Sequence, residues 1–224
     1  MTIKDSKSVF IDPQAEVADD VVIYPDNHII GKCVIGKGSV LMPGNIIEDC
    51  VIGEGCTITK SVLKQSQIRD NTTVGPFSYL RPGSQIGKGC RIGDFVEVKN
   101  AVIGDGTKVS HLTYVGDCTI GKRCNVGCGV VFVNYNGVYK SRSEVGDDCF
   151  IGSNSNIIAP VKVQDSSYIA CGTTLNQDVP TDSLVIGRSM AIIKEGRASL
   201  LLGKYTAEKL AKQSNPSERK KRED

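Results

Sequence analysis

The sequence predicts an all-β chain wound as a parallel β-helix, and three observations point that way. Aliphatic residues recur at every sixth position through most of the 224 residues. Glycine is abundant, with 24 residues, and often follows the aliphatic position directly. Rings are scarce, at 7 Tyr, 5 Phe and no Trp. A globule of this size ordinarily fills its core with rings, so a narrower and more regular interior is expected. Period six matches neither the helical repeat nor simple strand alternation. It suits a coil in which each short strand points one aliphatic residue inward before a corner, three hexads closing one triangular turn.

The elements follow in order. Ile11, Val17, Ile23, Ile29, Ile35, Leu41 and Ile47 set the first block. Ile68, Val74, Leu80, Ile86, Ile92 and Val98 set the second, and Val145, Ile151, Ile157, Val163, Ile169 and Leu175 the third. Between blocks the register slips by one residue, as from Val98 to Ile103 and from Val115 to Ile120. About twenty-eight anchors then make roughly nine turns, each stacked on its neighbour into one continuous core. Glycines after the anchors, as in Ile35-Gly36, Ile86-Gly87 and Ile103-Gly104, are assigned to the corners, where their backbone freedom is useful.

Two segments depart from the repeat. From Phe132 to Val145 the interval is thirteen, so residues 133–144 are expected to protrude as a loop, where solenoids commonly bind ligands. After about Val185 the pattern ends. The coil is therefore placed at 8–190 and a C-terminal arm at 191–224. In the arm a helix is expected over 196–213, interrupted at Gly203 and stopped by Asn215-Pro216. Arg219, Lys220, Lys221 and Arg222 beyond it read as a solvated terminus.

Composition excludes several classes. A net charge of +2 is too balanced for a nucleic-acid reader, and no apolar run is long enough to span a membrane. No secretory leader precedes the first apolar residues, so a cytoplasmic location is expected. The nine cysteines are scattered, without a C-x-x-C pair. Neither a disulfide framework nor a zinc site fits them, and they read as small core hydrophobes. Cys50, Cys56, Cys90, Cys118 and Cys124 each lie two residues before an aliphatic anchor, a slot for a compact side chain.

Local motifs go further. Gly75-Pro76-Phe77 with Leu80-Arg81-Pro82-Gly83, then Phe95-Val96-Glu97-Val98-Lys99, then His111-Leu112-Thr113-Tyr114-Val115-Gly116-Asp117 occur in that order. Val133-Asn134-Tyr135-Asn136-Gly137, Ile151-Gly152-Ser153-Asn154-Ser155 and Ile186-Gly187-Arg188 complete the set. Over about residues 10 to 195 the chain resembles the acetyltransferase domain of the bifunctional N-acetylglucosamine-1-phosphate uridyltransferase and glucosamine-1-phosphate N-acetyltransferase family, which are hexapeptide-repeat acyltransferases. That resemblance implies a left-handed β-helix, a homotrimer with sites between neighbouring coils, and acetyl-CoA as co-substrate. The sequence carries no Gly-rich L-x-x-G-x-G-T-x-M nucleotide loop, so the uridyltransferase half is expected to be absent, with a separate uridyltransferase as a conceivable partner.

The implied reaction acetylates the amine of glucosamine-1-phosphate on the way to UDP-N-acetylglucosamine, and it needs a base. Imidazole suits proton removal near neutral pH. Of the two histidines, His111 matches the family's base, whereas His28 lies outside the motifs. Glu97 matches a position expected to orient that imidazole. Arg81 and Lys99 match ligands of the sugar phosphate, a role that guanidinium and ammonium groups suit. Tyr114, Asn125 and Lys140 match further contacts to it. Cys128, Asn134, Tyr135, Ser153, Cys171 and Arg188 match contacts to the coenzyme, Arg188 facing its phosphates. No metal is expected, and two histidines are too few for the three-His zinc site that other coils of this kind carry. Alternatives are a related acyltransferase using galactosamine-1-phosphate, serine or a nucleotide sugar, and a non-catalytic scaffold on the same coil.

Overall fold

Strands of two to four residues follow one another from Thr2–Ile3 to Leu184–Val185. In the computed structural model, which describes residues 1–214, each strand pairs in parallel with the strand one turn away. Three sheets result, with eleven, ten and nine strands among the described residues, so the coil makes about ten turns rather than nine. The first sheet begins with Thr2–Ile3, the second with Phe10–Ile11 and the third with Glu16–Val17. The fold is a left-handed parallel β-helix with a C-terminal helix.

Turns are not of constant length. Stacked partners lie 16 residues apart at Thr57 and Thr73, 17 at Val34 and Val51, and 18 at Thr73 and Arg91. These differences are the register slips seen in the sequence. The anchors from Ile23 to Leu175 are buried and form one column of aliphatic side chains. Removing each from water contributes about 1.5–3 kcal/mol. Phe132 qualifies the narrow interior expected from the scarcity of rings: it stands at an anchor position and is 1% exposed. The interior is therefore wide enough for one phenyl ring at the turn that carries the inserted loop.

The slot before each anchor is polar as well as small. Along the first sheet it is filled by Ser39, Cys56, Thr72, Cys90, Thr107 and Cys124, alternating hydroxyl and thiol. The Ser39 hydroxyl donates to the Gly53 carbonyl at 2.8 Å and accepts from the Cys56 amide at 3.1 Å. Thr107 repeats this with Gly121 and Cys124, at 2.7 and 3.0 Å. The slot thus satisfies backbone groups that the corners would otherwise bury unpaired. Seven thiols are buried, and burial pushes Cys50 and Cys118 up to about 12, which keeps them protonated and inert. Cys128 and Cys171 differ, being half-buried and exposed.

The glycines after the anchors have a different cause from the one the sequence suggested. Gly36 and Gly104 do not take left-handed backbone angles; a Cβ on Gly104 would lie 2.6 Å from the Gly121 carbonyl carbon of the next turn. These positions need glycine because successive turns touch there. Left-handed corners fall elsewhere, on Gly55 and Gly89 but equally on Asp49, Asn71, Asn100 and Asp117.

The chain divides into two units after Arg188. In the second, the helix Arg197–Ser214 runs without a break through Gly203. A single interior glycine costs only about 1 kcal/mol, and the flanking leucines and lysine favour helix. Asn215, Pro216 and the basic residues 219–222 lie outside the described residues. No helix among the described residues is long and apolar enough to cross a membrane.

Candidate active site

The corner between the first and second sheets aligns residues that are far apart in sequence. Leu112 takes a left-handed backbone there (φ 45°), as do Phe95, Gly129, Asn154 and Gly172 in neighbouring turns. The residue before each occupies the same place, so Asp94, His111, Cys128, Ser153 and Cys171 form one column. Backbone bonds tie the column together: the Leu112 amide to the Asp94 carbonyl at 3.0 Å, Asn154 to Cys128 at 2.8 Å and Gly172 to Ser153 at 2.8 Å. With turns ~4.8 Å apart, Cys171 lies roughly 14 Å beyond His111. Arg188 continues the line, donating from a guanidinium nitrogen to the Cys171 carbonyl at 2.6 Å.

His111 closes the strand Lys108–His111, whose register sets it directly against Asp94. Its Nδ1 lies 2.6 Å from the Asp94 carboxylate. The bond from His111 holds the Asp94 carboxyl below the ordinary carboxylate range. This corrects the role expected of Glu97. The Glu97 carboxylate instead accepts from Arg81 at 2.8 Å, because Glu97 stands on the second sheet, stacked on Tyr114, past the corner from the imidazole.

A second group gathers where the second sheet turns toward the third, at the root of the inserted loop. Strand structure ends at Val133 and resumes at Ser143, and Tyr135 and Lys140 bridge antiparallel in between. At the root, the Asp117 carboxylate, with its side chain 7% exposed, accepts from Lys99 at 2.9 Å and Asn100 at 2.7 Å, and also from Asn134. Burial works to raise the Asp117 pKa, but these bonds outweigh it and hold the carboxyl below its usual value. Lys99 is raised by its bond to Asp117, and Lys140 is lowered because the Lys99 ammonium crowds it. Tyr114 accepts from Asn134 at 3.3 Å. Two crowded ammonium groups favour an anion between them.

Other expected residues stay apart within one chain. Asn125 faces outward on the first sheet, stacked between Lys108 and Phe150. Tyr135 is exposed, and its hydroxyl donates to the Gly137 carbonyl of its own loop at 2.6 Å. Asp94 and Asp117 were not singled out from the sequence. Asp117 lay inside the His111–Asp117 motif, and Asp94 is 17 residues before His111, one turn of the coil. Among the described residues no three His, Cys, Asp or Glu side chains group as a metal site would require.

A family described as the GMPPB C-terminal domain matches residues 62–138. The bifunctional protein GlmU of Clostridium novyi is 48% identical over 88% of this chain, which spans 43% of that protein. GlmU of Clostridium acetobutylicum is 49% identical over 87% of this chain and 43% of its own length. Among solved structures, the Arabidopsis UDP-N-acetylglucosamine acyltransferase superposes with a TM-score of 0.69 at 19% identity, covering 81% of this chain and 70% of that one. That likeness speaks to the fold. The chain thus spans less than half the length of the curated relatives it matches, and at 48–49% identity it is a homologue of one part of those GlmU proteins.

Proposed function

We propose that the chain transfers the acetyl group of acetyl-CoA to the amine of glucosamine-1-phosphate, giving N-acetylglucosamine-1-phosphate. The product is a precursor of UDP-N-acetylglucosamine. The observation that carries this reading is the corner column, which lines up the His111 imidazole with Cys128, Ser153 and Cys171 and ends at the Arg188 guanidinium. An elongated co-substrate with an anionic end fits such a track, its reactive end at the imidazole and its phosphates at Arg188. Acetyl-CoA supplies an activated thioester when bound. Cys128 and Cys171 line the track as small side chains, and direct attack by the amine needs no thiol relay.

His111 acts as the base that takes a proton from the attacking nitrogen, a contribution typically of 10²–10⁴-fold. Arg81, Lys99 and Lys140 take the sugar phosphate, with Tyr114 and Asn125 on the sugar. Ligand phosphate would relieve the crowding of the Lys99 and Lys140 ammonium groups. Glu97, which holds the Arg81 guanidinium, orients that phosphate ligand. A backbone N–H aimed at the developing oxyanion would supply the main electrostatic aid.

The corner column and the cation group sit at opposite edges of the second sheet, and Asn125 faces away from both. One site therefore draws on neighbouring coils of a homotrimer, with Tyr135 reaching the coenzyme across the interface and Asn134, its side chain buried against Asp117, meeting it through the backbone. The expected location is the cytoplasm.

Replacing His111 tests the reading. With acetyl-CoA and glucosamine-1-phosphate, His111→Ala is expected to lower kcat at least roughly a hundredfold. Turnover left unchanged by that substitution would remove His111 as the base, and no turnover in the wild type would favour a scaffold.

A further inference from the structure

We propose that Asp94 is the positioning residue of the site, fixing the tautomer and ring orientation of His111 so that Nε2 is the atom that receives the substrate proton. The inference rests on the acetyl-transfer reading and deepens it. Register carries it first: Asp94 stands opposite His111 in adjacent strands, so the pair is built by the coil and not by a chance loop conformation. Geometry carries it next. Asp94 Oδ1 lies 2.6 Å from Nδ1, within the range of a charge-assisted hydrogen bond. An ionised carboxylate only accepts, so Nδ1 must carry the hydrogen and the Nε2 lone pair is left free.

Other groups near the ring do not compete for Nδ1. Arg91 and Lys108 pair with each other in register three residues back, and both are cations without an acceptor. The strand on the other side offers Asn125, which is uncharged, followed by the half-buried Cys128 in the turn beyond it. Glu97 is engaged with Arg81. Asp94 is thus the carboxylate on the ring.

The chemical step then balances. The amine nitrogen forms its bond to the acetyl carbon while the carbon–sulfur bond breaks. The amine proton passes to Nε2, the imidazolium is held by Asp94, and the proton leaves Nε2 for the departing thiolate. Asp94 keeps its charge throughout and touches neither substrate.

Two measurements on the full chain test the assignment. Only two histidines are present, so imidazole ¹⁵N resonances can be assigned with a His28→Gln variant. In the wild type the neutral His111 ring is expected to carry its hydrogen on Nδ1; a ring protonated on Nε2 would overturn the proposal without any variant. In Asp94→Asn the amide can turn its NH₂ toward Nδ1, so the Nε2-protonated form should grow. Its kcat for acetyl transfer should fall roughly ten- to a hundredfold, with KM for both substrates within about twofold and partial recovery in Asp94→Glu. Full kcat in Asp94→Asn beside an inactive His111→Ala would sink this inference and leave the acetyl-transfer reading intact. Activity retained in His111→Ala would likewise sink it, whereas no acetyl transfer by the wild type would sink that reading instead.

Discussion

Asp117 is a buried carboxylate whose charge state is decided by its neighbours. Desolvation favours the neutral acid, yet donors from Lys99, Asn100 and Asn134 converge on it and keep it ionised. Its native pKa is depressed, so its contribution to stability is complete above the ordinary aspartate value of about 3.9 and fades as pH falls below that value. The bond to Asn134 helps tie the inserted loop to the coil, beside Arg142, which donates to the Asn100 and Cys118 carbonyls at 3.1 and 3.0 Å. Amide exchange at Ser141, whose N–H bonds the Asn134 carbonyl at 2.9 Å, should therefore accelerate only as pH falls below the ordinary aspartate value, after correction for intrinsic rates. Protection at Ser141 that stays unchanged until the coil itself unfolds in acid would contradict the link. His111, Arg81 and Lys99 were legible in the sequence because their motifs name them. Asp94 and Asp117 were not, because their roles depend on what stacks one turn away. With turns of 16, 17 or 18 residues, that neighbour is known only once the register is.

At the scale of the strand and corner, the aliphatic anchors were read directly from period six, since each inward side chain has no other place to go. The reason for glycine was not. Gly104 and Gly89 look alike in sequence, each flanking a corner, but the structure separates them. At Gly104 a Cβ would press on the Gly121 backbone, which cannot move without unstacking a turn. At Gly89 the backbone is left-handed (φ 61°) and nothing lies within 4 Å of an added Cβ. Gly104→Ala is therefore expected to cost about 3 kcal/mol by overpacking. Gly89→Asn should cost under about 1 kcal/mol, since asparagine tolerates that conformation. Urea midpoints of the two variants check the order; equal losses would show that close contact between turns is not the cause. Phe132 is a further case: six residues after Val126 it falls in the anchor register, yet the scarcity of rings pointed to an interior without them.

Across the coil as a whole, sequence and structure agree on a stack of short strands and on a loop that breaks it once. What the sequence leaves open is how sites are shared out. The residues tied by resemblance to one reaction fall on two edges of the second sheet and on a third surface. A linear motif order cannot reveal that separation, since positions on three faces alternate every six residues. The same separation is the physical reason for proposing that neighbouring copies complete each site. The central claim is acetyl transfer to an amino-sugar phosphate, and the direct measurement is thiol release from acetyl-CoA by the assembled protein. Glucosamine-1-phosphate, galactosamine-1-phosphate and glucosamine are the acceptors to compare. The account predicts rapid release with glucosamine-1-phosphate and a loss of at least about tenfold in kcat/KM when the phosphate is missing, because Arg81, Lys99 and Lys140 then have no phosphate to bind. Equal turnover of unphosphorylated glucosamine, or no release with either sugar phosphate, would contradict it.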